Sequence, residues 1–335
     1  MLSPMLQYLV ILLDNTATSY CHYENFCHEK KLISIEDLKQ GIFYGMKENL
    51  MIQFVYPDYE LPQEYKDVIN TIDHSDIVSS LCEDDELRKN ADVIICHDWN
   101  GIQFSSFDKD RIYTLRTSKE DLFDRYKLLK GIISYSLRLN VVITDIEKFT
   151  EEDFKKYKEV LEYLSDVLKT CYAEGKSPQL NLLTDRMMLD GMNNCNAGVE
   201  NITLAPNGKF YVCPAFYLSK ECDGNEKSLD DVCQKGYSIG SLKEGLDIKN
   251  PQLYKQDHAP LCRKCDAYQC KRCIWLNRKT TLEVNTPSHE QCVVAHLERN
   301  ASRNLLTNIR KYGAFLADKE IKGIDYLDPF DVLQK

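Results

Sequence analysis

A cysteine array near the carboxyl end constrains this chain more than any other feature: Cys262-x2-Cys265-x4-Cys270-x2-Cys273, followed by Cys292. A C-x2-C loop wraps its backbone so that both sulfurs converge on one metal, and distant single cysteines close the coordination shell. Upstream, Cys195 and Cys213 form a second pair, spaced C-x12-G-x4-C around Gly208. Isolated buried thiols are common core residues, but five cysteines between positions 262 and 292 make that explanation weak. Taken alone, the array suits one or two structural zinc ions, whose binding contributes about 10–16 kcal/mol to folding in small fingers. It equally suits a polynuclear iron–sulfur site.

The 335 residues, 43% of them hydrophobic and 28% charged, are those of an ordinary folded chain. Such a length favours one large domain with a smaller one. A net charge of −10 argues against nucleic acid as the main partner, because that affinity comes from Lys and Arg paired with phosphates. The first apolar run, Leu9 to Leu13, lacks a basic flank and is stopped by Asp14, so it reads as a buried strand rather than a signal peptide. No stretch approaches the apolar length that a membrane span needs. A cytoplasmic location is expected, with no membrane partner. In that compartment thiols stay reduced, and clustered cysteines point to metal rather than disulfides.

The first 190 residues alternate strand and helix signals. Strands are expected at Tyr8–Leu13, Met51–Val55, Asp92–Cys96, Arg111–Leu115, Leu139–Thr144 and Leu180–Leu183. Between them, helices are expected from Ser34 to about Lys47, Glu64 to Ile72, Ser118 to about Tyr135, and Thr150 to about Tyr172. Strands alternating with long helices mean βαβ units and a parallel sheet, with any ligand at the carboxyl ends of the strands. The class is therefore α/β, with enough units for a partial (β/α) barrel. No glycine-rich phosphate loop follows any strand, which disfavours nucleotide chemistry of those types.

Near Asp190 the character changes. Ile202-Thr203-Leu204 and Phe210-Tyr211-Val212 flank Asn207-Gly208, the pattern of a hairpin with a type I′ turn ending at Cys213. A helix is expected from about Ala295 to Tyr312, followed by a loosely ordered acidic tail after Gly323.

Together these patterns resemble the radical SAM superfamily with a SPASM-type C-terminal extension. The order Cys195, Gly208, Cys213, Cys262, Cys265, Cys270, Cys273, Cys292 fits that extension, and so does Ser238-Ile239-Gly240-Ser241-Leu242 between hairpin and array. The spacers x4 and x2 stand where the family usually has x5 and x3. The resemblance implies a radical SAM-like (β/α) barrel over 1–190, a SPASM-like iron–sulfur domain over 191–300, and a helix with an acidic tail over 301–335. It implies one 4Fe-4S cluster on Cys262, Cys265, Cys270 and Cys292, and a second on Cys195, Cys213 and Cys273. The second would need a fourth ligand, from Cys222, Cys233 or a peptide thiol.

The amino-terminal half departs from the superfamily. Its enzymes carry C-x3-C-x2-C after the first strand, whereas the loop here offers only Cys21 and Cys27. Tyr56-Pro57-Asp58 replaces the expected Gly-Gly-Glu. Two thiolates cannot supply three ligands, so S-adenosylmethionine is not an expected cofactor. More narrowly, Leu12-Leu13-Asp14-Asn15-Thr16, Cys21-His22-Tyr23-Glu24-Asn25 and the run from Met46 to Pro57 resemble the CXXX repeat peptide maturase family. That resemblance implies maturation of a ribosomally made, cysteine-rich precursor peptide beside a complete radical SAM partner protein. The alternative is a non-catalytic scaffold that binds a peptide, braced by zinc or clusters.

Lesser candidates remain. Cys21, His22, Cys27 and His28 are suitable metal donors, but their spacing matches no strong template. Cys96-His97-Asp98 at a strand end suggests acid–base chemistry, though a packed strand terminus is the commoner case. Cys82 and Cys171 read as inert core thiols.

Overall fold

The computed structural model describes residues 6–99, 107–219, 237–321 and 323–324. Among these, the strands are β1 (Tyr8–Leu12), β2 (Met51–Val55), β3 (Ser75–Ser79), β4 (Val93–Cys96), β5 (Ile112–Thr117), β6 (Arg138–Ile143), β7 (Gln179–Leu180), β8 (Asn201–Leu204), β9 (Lys209–Tyr211), β10 (Ser238–Ser241) and β11 (Gly245–Leu246). The helices are α1 (Ile35–Lys47), α2 (Gln63–Ile69), α3 (Asp85–Asn90), α4 (Lys119–Arg125), α5 (Leu129–Tyr135), α6 (Glu151–Ala173), α7 (Asp185–Met188), α8 (Ala215–Leu218), α9 (Ile274–Thr281) and α10 (His289–Ile309). The chain divides into two compact units, Met1–His97 with Asn196–His258, and Asp98–Cys195 with Ala259–Lys335.

In the first unit the strands run in the order β11-β10-β9-β8-β1-β2-β3-β4. β8, β1, β2, β3 and β4 are parallel, and β9, β10 and β11 continue the sheet antiparallel. β1 is central, and its unbroken apolar run suits a strand covered on both faces. Leu9 pairs with Ile52 and Ile202, and Ile11 with Phe54 and Leu204. All six side chains are buried. Helix α1 starts where Ser34 accepts from the Asp37 amide, as its position predicts. Gly41 and Gly45, one turn apart, let its backbone lie close on the sheet. A Cβ on Gly45 would stand 2.7 Å from Ile52 Cδ1 and 3.3 Å from Leu9 Cδ2.

The hairpin forms, but its turn differs from the expected type I′. Only Gly208 has positive φ, at +73°, and its amide closes onto Ala205 O at 3.0 Å. Pro206 and Asn207 make the turn, and the left-handed glycine follows it as a bulge. Pro206 explains the change, because its ring fixes a negative φ at the first central position.

The second unit contains β5, β6 and β7, all parallel. Thr150 caps α6 in a capping box with Asp153. Phe154, Tyr157, Leu161, Leu164, Leu168 and Cys171 form its buried stripe, and α6 packs against α10. Each such apolar side chain contributes about 1.5–3 kcal/mol on burial. The helix expected from Ser118 to Tyr135 is instead two helices joined by a 3-10 turn, Tyr126–Leu128. Leu128 stays exposed, while Leu129, Ile132 and Ile133 turn inward. Likewise α10 begins at His289 rather than Ala295, because Ser288 accepts from the Gln291 amide and caps it. The acidic tail from residue 325 lies outside the described residues. No helix among the described residues is long and apolar enough to cross a membrane.

Candidate metal centre

The cysteine array occupies the loop before α9 and the first turn of α10. Cys262 is its buried member, and Cys270 is half-buried. Burial pushes the Cys270 thiol well above the ordinary value, and the thiols of Cys262, Cys265 and Cys292 push it further. These four are the set that the resemblance assigns to one cluster, and all four belong to the second unit. Burial also pushes Cys262 up to about 11 and Cys273 up to about 12. A thiol raised in this way ionises when a cation neutralises the thiolate, the usual coupling of metal binding to proton release.

Backbone donors are already turned toward the sulfurs. The Ala267 amide reaches Cys265 Sγ at 3.5 Å, and the Arg272 amide reaches Cys270 Sγ at 3.4 Å. Cys273 caps α9, where the Leu276 and Trp275 amides favour its ionised form. Hydrogen bonds of this kind stabilise thiolate over thiol. Among the described residues, no group of three or more His, Cys, Asp and Glu side chains is poised to hold a single metal ion. The donor set fits a thiolate-bound group in its chemistry: soft sulfur with amide donors turned onto two of the sulfurs.

Cys195 is brought to the array by backbone pairing. The Asn193 amide donates to Tyr268 O at 2.8 Å and the Cys195 amide to Lys271 O at 2.6 Å, while Arg272 Nε holds Asn194 Oδ1 at 2.6 Å. The Cys195 thiol adds to the burial that pushes Cys273 up. Cys213 belongs to the first unit, just past β9, where burial and its thiol raise the Tyr254 hydroxyl. Cys222 and Cys233 lie outside the described residues.

Two residues in the array escape a reading of cysteine spacing. Arg272 is buried among Cys262, Cys195, Cys270 and Cys273; burial disfavours its charge, and those sulfurs favour it. His296, also buried, places Nε2 at 3.6 Å from Cys265 Sγ. Its position four residues after Cys292 was the available signal, since both then share one face of a helix.

Asp266, next to Cys265, anchors the loop. It is buried and pairs with Arg299 at 3.0 Å, Arg186 at 3.3 Å and Arg303 at 2.6 Å. Burial alone would raise its carboxyl, but Arg299, Arg303 and Arg186 hold it below the ordinary carboxylate range. Arg186 Nε also donates to the Asp266 carbonyl at 2.9 Å.

In the first unit, the loop after β1 is built on Asn25. Its amide nitrogen donates to Asn15 O at 2.8 Å and Ala17 O at 2.9 Å, and its Oδ1 accepts from the Cys27 amide at 2.9 Å. Cys21 and Cys27 are half-buried. Thr18 Oγ1 lies 2.6 Å from His97 Nε2, so the end of β4 touches this loop. Cys96, Cys82 and, in the second unit, Cys171 are buried.

No family model and no curated protein matches the sequence. Solved structures do. The chain is similar to anSMEcpe with bound AdoMet and Cp18Cys peptide, at 13% identity and TM-score 0.55, covering 91% of this chain and 99% of that one. Tagged anSMEcpe with bound AdoMet gives 13% identity and TM-score 0.53, covering 93% and 97%. anSMEcpe with AdoMet and Kp18Cys peptide gives 12% identity and TM-score 0.52, covering 91% and 99%. The likeness shows the fold: a mixed α/β body with a parallel-sheet core, as in radical SAM enzymes.

Proposed function

We propose that this protein takes part in modifying a peptide, with iron–sulfur clusters held by its carboxyl-terminal cysteines. The observation that carries the reading is the pair of backbone amides, of Ala267 and Arg272, turned onto the sulfurs of Cys265 and Cys270 in the cysteine array. Cys262, Cys265, Cys270 and Cys292 would hold one 4Fe-4S cluster; Cys195, Cys213 and Cys273 would serve a second, within a SPASM-like region over 191–300. Bound there, the clusters would supply an electron path or a soft site for a substrate thiolate. The chain's own part is to donate amides to the sulfurs and to set Arg272 among them.

The substrate we propose is a ribosomally made, cysteine-rich peptide of CXXX-repeat type, with a radical SAM protein as partner. Support for a peptide comes from the anSMEcpe structures, which were solved with bound peptides. Those structures also hold AdoMet, so they lend no support to leaving it out. That part of the reading rests on the loop after β1, where Cys21 and Cys27 cannot supply three thiolate ligands.

Anaerobic purification followed by iron, sulfide and zinc analysis tests the proposal. Iron and sulfide should be present and should fall when Cys265 or Cys270 becomes Ala. Zinc without iron would replace the reading by a zinc-braced scaffold. Omitting this protein from a mixture of precursor and partner should abolish the mass change in the peptide. AdoMet cleavage by the isolated protein would overturn the division of labour.

A further inference from the structure

We propose that His296 is a positioning residue of the cysteine site, donating its Nε2–H to the Cys265 sulfur. The inference rests on the metal reading above and deepens it. Cys292 and His296 lie one helical turn apart on α10, so both present to the same side. His296 Nε2 is 3.6 Å from Cys265 Sγ, within hydrogen-bond range for sulfur, and the ring is buried.

The direction of the bond follows from the metal reading, because a ligand thiolate has no proton to give. Cys265 Sγ already receives the Ala267 amide at 3.5 Å. A neutral thiol there would donate its S–H to the imidazole nitrogen, whereas a thiolate accepts from both groups. Metal binding requires that thiolate. The imidazole then carries its proton on Nε2, a tautomer that holds the ring in one orientation against the ligand. A hydrogen bond to a ligand sulfur withdraws electron density from it and raises the reduction potential of the cluster it holds.

The test uses the full chain, purified and reconstituted without oxygen. His296→Ala should keep the iron and sulfide content of the wild type but lower the midpoint potential and alter the visible charge-transfer bands. His296→Gln, which keeps an N–H donor at similar reach, should restore part of the shift. Unchanged potential and spectrum in His296→Ala, at full iron content, would overturn the assignment. Loss of iron from both variants would also overturn it, making the histidine a ligand rather than a donor to one. If the wild type carries no iron, the metal reading falls, and the contact is then tested in the metal-free protein. There the 15N resonance of His296 Nε2 should move when Cys265 becomes Ala; an unmoved resonance refutes the contact itself.

Discussion

Tyr157 of α6 donates its hydroxyl to Glu298 of α10 at 2.7 Å in the interior of the second unit. Gln269, beside Cys270, holds the other carboxylate oxygen at 3.2 Å. The long helix pair is thus tied to the array loop through one buried acid. Burial raises the Glu298 carboxyl to about 7, against the bonds from Tyr157 and Gln269, while the nearby Asp185 raises it further. Because the folded group holds its proton longer than the unfolded one, stability falls as pH rises from about 4.5 to about 7. Glu298→Gln should remove that decline, worth roughly 3 kcal/mol. Denaturation midpoints of both proteins at pH 5 and pH 8 measure it; parallel pH curves would refute it.

Replacing Asp266 by Asn should cost about 3–5 kcal/mol, since it strips the counter-charge from two buried guanidiniums, Arg186 and Arg299. Its carboxyl is depressed, so the contribution persists at neutral pH and is lost only as acid titrates the folded group. Urea unfolding at pH 7 provides the number. A loss below 1 kcal/mol would show that the arginines find other partners.

Gly45→Ala sets helix propensity against packing. Alanine gains about 1 kcal/mol in a helix interior, and overpacking costs about 1–3 kcal/mol. The added carbon would meet both Ile52 and Leu9, which are buried on adjacent strands, so packing prevails. A thermal midpoint lowered by a few degrees is expected; an increase would mean that α1 can lift from the sheet without loss.

Asn25→Ala should loosen the β1 loop and lower the global midpoint as well. It removes three hydrogen bonds that join Asn15, Ala17 and Cys27, each worth about 1 kcal/mol. Hydrogen exchange at the Cys27 amide should accelerate by tenfold or more. Unaltered protection there would show that other contacts order the loop.

Much of this architecture is legible in the residues themselves. β1 is plain because an apolar run bounded by Asp14 admits little else, and α6 is marked by Thr150 and Asp153 at its start. The short β3, with its polar ends at Ser75 and Ser79, carries too little pattern to be seen. The start of α10 is hard to see because its first turn, His289-Glu290-Gln291-Cys292, carries no apolar period, and only Ser288 marks the cap. Cysteine spacing marks out the array from Cys262 to Cys292 as the candidate site. It was silent on Asp266, whose partners Arg186 and Arg299 are respectively 80 and 33 positions away. Contacts of that range leave no local trace, because they arise only once helices and loop have packed.

The arginine clamp on Asp266 also bears on how the protein would live through metal scarcity. A turn fastened from outside, by side chains rooted on α7 and α10, does not rely on its cargo to stay folded. If the array takes up iron and sulfide as proposed, loading and unloading would then leave the rest of the body standing.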